Sequence, residues 1–283
     1  MRISFSKSVT ESLLAKIRSG EMMSRNEKFN LIIQLSIPSI LAQVTTVLMF
    51  YIDAGMVGSL GAEPSAAIGL VEPATWLFFS LVSAVTMGFS VQVAHFIGAN
   101  DFSKARAVMR HGYIFGLCFA LFLLLITFLI GYRLPVWLGG GADIQHDATV
   151  YFLIFSLIIP FHLIEYMSAA MLKVSGDMRR PSFMAILMCV LDVIFNYFFI
   201  FPTRTVSLFG VEVTMPGLGE GVAGAALGSL LSFVCVALPL AYYAIFRSPI
   251  LAWKQDVERF VWRWQYIWNA MKIGAPMALQ YLL

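Results

Sequence analysis

Four acidic side chains stand inside long apolar stretches of this sequence: Asp53, Glu72, Glu165 and Asp192. A charge at the centre of a lipid bilayer costs at least about 2.5–3.5 kcal/mol on insertion scales, so such residues predict a functional site. Asn196 follows Asp192 by four residues, which places a carboxylate and an amide on one face of a helix. Their oxygens suit a proton or a hard cation such as Na⁺. The alternative for this pair is a polar contact that only packs two helices together.

Two of these acids have simpler explanations that remain open. Glu72 precedes Pro73 near one end of its apolar stretch, where water can reach a carboxylate. Glu165 follows His162 by three residues, so a local hydrogen bond between the two side chains is the alternative to a functional role.

The composition of the chain requires a lipid environment around these acids. Of its 283 residues, 59% are hydrophobic and 12% are charged, and the mean hydropathy is +0.81. A soluble domain has about 25% charged residues. Because a chain of this size cannot hide so much apolar surface in its own core, lipid must cover part of it.

Six apolar stretches are each long enough, at about 20 residues, to form a helix that crosses a bilayer. They extend over Leu31–Gly58, Ala67–Ile97, Val108–Leu138, Thr149–Leu172, Ser182–Phe201 and Val222–Phe246. A seventh begins near Ala270. None has the apolar–polar alternation of a barrel strand, so the predicted fold is an all-α integral membrane protein. The pairs Gly112–Gly116 and Gly224–Gly228 have the GxxxG spacing of helix-packing faces.

The basic residues predict the orientation of these helices. All of the 19 Lys and Arg residues except Arg133 and Arg204 lie before the first stretch, in the even-numbered connections or, for Arg110 and Lys272, within three residues of such a connection. By the positive-inside rule, these segments face the cytoplasm. The sequence therefore predicts a multi-pass protein of the plasma (inner) membrane with a cytoplasmic N-terminus. Its net charge of +3 indicates topology and a lipid partner, and not a surface for nucleic acid.

The chain divides into four predicted parts: a cytoplasmic segment over residues 1–30, a six-helix lobe over 31–247, a cytoplasmic linker over 248–269, and the start of a seventh span over 270–283. In the first part, Phe5, Val9, Leu13 and Ile17 recur at helical spacing, which fits a helix on the membrane surface or a flexible tail equally well. In the linker, Ile250–Trp268 carries an aromatic stripe and predicts an amphipathic helix at the membrane interface.

A short internal repeat predicts a second lobe of like orientation. SIPSILAQ (Ser36–Gln43) enters the first span and GAPMALQ (Gly274–Gln280) enters the seventh. Both have a Pro in the first turns and a Gln about one turn later, and both start from the predicted cytoplasmic side. Such repeats are a known transporter architecture.

Several motifs together resemble the multidrug and toxic compound extrusion (MATE) family, from about Glu27 to the end of the chain. They are SIPSILAQ, YIDAGMVGSLG (Tyr51–Gly61), HFIGANDFSKA (His95–Ala105), LKVSGDMRRPSF (Leu172–Phe183), DVIFNYFFIF (Asp192–Phe201) and GVAGAALGS (Gly221–Ser229). The resemblance implies twelve helices in two six-helix lobes, which export small organic cations in exchange for H⁺ or Na⁺ and need no other cofactor. We expect this chain to be a partial sequence, with the second lobe of the same protein as its partner.

The resemblance also implies roles for particular residues. The first-span carboxylate of the family matches Asp53, its fifth-span polar pair matches Asp192 and Asn196, and its sixth-span hydroxyl falls on Ser229. The first three are the expected proton-coupling or Na⁺ site. Supporting roles are expected for Ser229, Gln43, Glu72 and Glu165. Cation-binding members of the family have Asn first and Asp second in the fifth span, whereas here Asp192 comes first. This order moves the carboxylate one turn inward and leaves the choice between H⁺ and Na⁺ open.

Two other functions compete with efflux. A flippase for lipid-linked oligosaccharides has similar helices, but it needs Arg or Lys in its cavity to bind pyrophosphate, and Arg133 stands at an outer helix end. An intramembrane enzyme could use Glu165 with His162, or Asp53 with Asp192. The spans contain no nucleophile or metal-binding constellation, so we expect a protein that is not an enzyme.

Overall fold

The computed structural model describes residues 12, 13, 15, 16, 19, 21–208, 211–255 and 261–282. From residue 25 onward, its α-helices are α1 (Arg25–Gly58), α2 (Ala62–Gly98), α3 (Phe102–Gly131), α4 (Leu134–Trp137), α5 (Gln145–Ser156), α6 (Ile158–Val174), α7 (Arg179–Ile200), α8 (Gly221–Tyr242) and α9 (Trp264–Leu282). The predicted all-α membrane fold is confirmed. The surface helix suggested for the first segment lies mostly outside the described residues, so it stays a prediction.

Among the described residues, six helical segments are long and apolar enough to cross a membrane, and they coincide with the six predicted spans. The fourth span consists of α5 and α6, which meet at Leu157. Pro160 follows three residues later and has no N–H to donate to the carbonyl of Ser156, which accounts for the break.

The third span was predicted to reach Leu138, but α3 ends at Gly131 and the short helix α4 follows it.

Helix packing defines the order of the bundle. Helix α1 packs on α7, α7 packs on α8, α8 packs on α5 and α6, and α6 packs on α2 and α3. At the α7–α8 crossing, a Cβ on Gly224 would collide with the backbone of Phe199, and one on Gly228 would collide with Asn196. The predicted helix-packing role of this GxxxG pair is confirmed, because only glycine allows the two helices to approach so closely.

A β-hairpin joins α7 to α8 outside the predicted spans. Strand β1 (Pro202–Leu208) pairs antiparallel with β2 (Val211–Leu218), and Thr205 lies opposite Thr214. The sequence analysis predicted no strands. The signal for the hairpin lies in the β-branched residues of this connection, which favour extended backbone.

The linker and α9 are held against the basic end of the bundle. Helix α9 begins at Trp264, six residues before the predicted start of the seventh span, and packs on α2. A short 3₁₀ turn covers Trp253–Gln255. The predicted amphipathic helix over Ile250–Trp268 is wrong, because Ile250 and Leu251 form a turn and residues 261–263 have no regular structure before α9 begins, while residues 256–260 lie outside the described part. Side chains of α2 and α3 donate to linker and α9 carbonyls: Arg106 Nη1 to Ile250 (3.0 Å), Arg110 Nη2 to Trp253 (2.8 Å) and Gln92 Nε2 to Tyr266 (3.0 Å).

Candidate functional site

Asp53, Asp192 and Asn196 form one hydrogen-bonded cluster between α1 and α7. The Asn196 Nδ2 group donates to Asp53 Oδ1 at 3.0 Å and to Asp192 Oδ2 at 2.9 Å. Asp192 and Asn196 are fully buried, at 0% and 1% exposure, while Asp53 is half-buried. The expected spacing of Asp192 and Asn196 on one helix face is confirmed, and α1 brings in the second carboxylate from 143 residues away.

Helix α8 completes the cluster with hydroxyl groups. Ser232 Oγ lies 3.1 Å from Asp192 Oδ1 and 2.8 Å from the carbonyl oxygen of Ser229. The Ser229 side chain, which the resemblance singled out, also faces Asp192. Ser232 was missed by the sequence analysis. The sequence nevertheless indicates it, because Ser232 follows Ser229 by three residues and therefore falls on the same helix face.

No cation among the described residues balances the charge of this cluster. Neither carboxylate forms an ion pair with Lys or Arg in the described part of the chain. Two carboxylates that share one amide donor in a buried site cannot both stay ionised cheaply. The arrangement is therefore suited to take up a proton or to share a cation.

The oxygen atoms of the cluster are the groups that could bind Na⁺. Both carboxylates and the Ser232 hydroxyl are oxygen ligands of the type that hard cations bind. Asn196 Oδ1 is buried and has no hydrogen-bond partner among the described residues, and it lies against Gly228. In this orientation the amide turns its N–H groups toward the carboxylates. The cluster thus accommodates a proton as it stands, whereas Na⁺ ligation by Asn196 requires the amide to rotate.

The other expected residues lie outside this hydrogen-bonded cluster. Gln43 is exposed on α1. Glu72 is exposed on α2 and accepts a hydrogen bond from Trp76 Nε1 at 3.2 Å. Glu165 is half-buried on α6, and the local hydrogen bond to His162 that served as its alternative explanation is absent, since neither ring nitrogen of His162 has a partner among the described residues.

A column of stacked aromatic rings runs along the bundle interior near the cluster, and the sequence analysis did not predict it. Tyr151 stacks on Phe155 (5.2 Å between ring centroids), Phe155 on Phe79 (5.5 Å) and Phe79 on His162 (4.4 Å). Tyr151 lies within electrostatic reach of Asp53, Asp192 and Glu72. Aromatic faces attract cations, so the column and the carboxylates offer compatible surfaces to a cationic molecule.

Together, the bundle and its buried carboxylates define a polytopic membrane protein with a polar site between its helices. A sequence model of the MatE family matches residues 38–198, which is more than half of the chain, and the chain belongs to this family. The resemblance to multidrug and toxic compound extrusion proteins is thereby confirmed.

Individual relatives agree with this assignment. The chain is 25% identical over 260 residues to the "Probable multidrug resistance protein NorM" of Neisseria meningitidis, covering 91% of the chain and 54% of that protein. It is 20% identical to the "Multidrug export protein MepA" of Staphylococcus saprophyticus, covering 92% and 54%. A solved outward-facing MATE family transporter of the MOP superfamily shares the fold, with a TM-score of 0.79 at 22% identity, covering 98% of the chain and 55% of that structure. The chain thus spans about half the length of these proteins.

Proposed function

We propose that this chain forms the ion-coupling lobe of a secondary active multidrug exporter, which exchanges small organic cations for H⁺ or Na⁺. The observation that carries the proposal is the shared hydrogen bonding of Asp53 and Asp192 to Asn196, in a buried site where the described residues supply no cation. Membership of the MatE family and the names of the curated relatives support multidrug export as the activity.

Antiport follows if the coupling ion and the substrate favour different states of the protein. A proton or Na⁺ at the Asp53–Asp192 pair neutralises the interior and favours release of a cationic substrate to the outside. A substrate that enters from the inside favours the state in which the pair has lost its ion. Each ligand shifts the equilibrium only by its difference in affinity for the two states, which is the thermodynamic basis of coupled exchange.

The aromatic column supports organic cations as the substrate class. Rings of Tyr151, Phe155, Phe79 and His162 present stacked faces from α2, α5 and α6. A flat cation can bind through cation–π attraction by inserting between two of these rings, with its charge near the carboxylates. We include the second lobe of the same protein as the partner that closes the site from the other side.

The coupling ion can be identified with the full-length protein in lipid vesicles. We expect an imposed H⁺ gradient to drive ethidium transport, because the cluster accommodates a proton without rotation of the Asn196 amide. A Na⁺ gradient at constant pH is the second arm, and transport in that arm would assign Na⁺ instead. Absence of ethidium movement under both gradients, with an intact protein, would contradict the proposed exchange.

The proposed orientation has a separate test. Accessible tags after Met1 and in the stretch Lys254–Arg263 should both be labelled from the cytoplasm, because the basic segments are retained on that side. A tag beside Asp143 should be labelled from outside. Labelling of Met1 and Lys254 from opposite sides would show that the number of spans between them is wrong.

A further inference from the structure

A shallow groove with two cations opens at the basic end of α8. The described residues that line it are Tyr242, Phe246, Arg247 and Lys254, and its volume is about 440 Å³. Arg247 and Lys254 are both exposed, and neither forms an ion pair in the part of the chain that the structure describes. Two cations that line one groove and have no anionic partner among the described residues repel each other, so the groove is complementary to an anionic group.

The groove continues into an apolar stripe on the outer face of α8. Leu231, Leu238, Tyr242 and Phe246 are 37–53% exposed, and Cys235 between them is exposed as well. Their spacing of three, four or seven residues places them on one face of the helix. Leu231 and Phe246 are about 22 Å apart along the helix, which exceeds the roughly 15 Å hydrocarbon depth of one leaflet.

A π-helical turn shapes the junction between stripe and groove. Residues Tyr243–Arg247 form this turn, and Ser248 N donates to the carbonyl of Tyr243 at 3.0 Å. Phe246 packs on Tyr242 with ring centroids 5.4 Å apart. The turn ends the helix with Arg247 at the rim, directly beside these two rings. Aromatic residues followed by cations are typical of the level where lipid headgroups meet the hydrocarbon.

We propose that this groove and stripe bind an anionic phospholipid, with the phosphate between Arg247 and Lys254 and an acyl chain along Leu231, Leu238 and Tyr242. The combination of a cationic groove with an adjoining apolar stripe matches both parts of such a lipid. Basic sites near the cytoplasmic ends of membrane helices attract anionic headgroups, because that leaflet carries negative charge. The site lies apart from the Asp53–Asp192 cluster and does not depend on the proposed exchange.

Native mass spectrometry of the purified protein tests the proposal, with phosphatidylglycerol compared against phosphatidylcholine of the same acyl chains. We expect the protein to retain phosphatidylglycerol preferentially and to unfold at a higher temperature in its presence. The double variant Arg247→Gln, Lys254→Gln should bind phosphatidylglycerol at least about tenfold more weakly, because each cation near the surface contributes to the attraction. Should the double variant not fold, Lys254→Gln alone, at an exposed side chain, should give part of this loss.

The matched control is Arg25→Gln, Lys28→Gln, which removes the same charge from exposed positions at the start of α1. This variant should keep the phosphatidylglycerol preference. Equal retention of both lipids by the unaltered protein, or an equal loss in the control, would overturn the proposal. Soluble glycerol 1-phosphate should not reproduce the thermal shift. If it does, the groove binds a soluble phosphate, and the lipid assignment is wrong.

Discussion

Replacing Asp53 with Asn in the full-length protein should abolish gradient-driven efflux while leaving expression intact. The neutral amide keeps the shape of the side chain, but it cannot exchange a proton and has no negative charge to balance a bound cation. Asp192→Asn should impair efflux as severely or nearly so, because both carboxylates bind the same Asn196 amide. Ethidium efflux from energised cells measures the loss, and it should fall to the background of cells without the protein.

Two milder variants make this prediction specific. Asn196→Ala should reduce efflux less than either aspartate variant, because it removes the shared donor and leaves both carboxylates. Glu72→Gln is the matched control at another acid of the spans, which is exposed and has Trp76 as its hydrogen-bond donor. It should be tolerated. Normal efflux in the double variant Asp53→Asn, Asp192→Asn would end the proposal of a shared site, and coupling would then have to be sought at Glu165 or in the second lobe.

Replacing Gly228 with Ala should destabilise the bundle and weaken transport together. The added Cβ would meet the side-chain oxygen and the backbone of Asn196, so α8 must move away from α7. Overpacking of this kind costs about 1–3 kcal/mol. The displacement also moves Ser232 away from Asp192, and ion coupling should therefore decline beyond what the loss of stability explains. Thermal unfolding by tryptophan fluorescence, followed by efflux at a temperature where the variant is folded, measures both effects.

The same substitution at Gly69 is the control for this prediction. Gly69 lies within α2, and a Cβ there would meet no atom within 4 Å. Alanine is the better helix former, so Gly69→Ala should be neutral or stabilise the protein by roughly 0.5–1 kcal/mol. If Gly228→Ala were as stable and as active as Gly69→Ala, the close approach of α8 to Asn196 would not be required for the site.

The features that depend on hydropathy and local spacing could be predicted from the amino-acid sequence. The six spans follow from stretches of about 20 apolar residues, because a lipid-crossing helix must satisfy its own backbone hydrogen bonds. The pairing of Asp192 with Asn196 follows from the four-residue repeat of a helix face. The close contact at Gly224 and Gly228 was likewise evident from the GxxxG spacing. The β-hairpin could also have been predicted, because its β-branched residues favour extended backbone.

Which distant residues meet depends on how the helices pack, and local spacing along the chain does not specify that. Asp53 joins Asp192 because α1 packs on α7, and Ser232 joins them because α8 packs on the other side of α7. The same packing leaves Gln43 and Glu72 outside the cluster and stacks His162 on Phe79. These outcomes depend on the rotation of each helix about its axis. Spans that are apolar on every face carry little information about that rotation, since lipid and neighbouring helices are equally apolar surroundings.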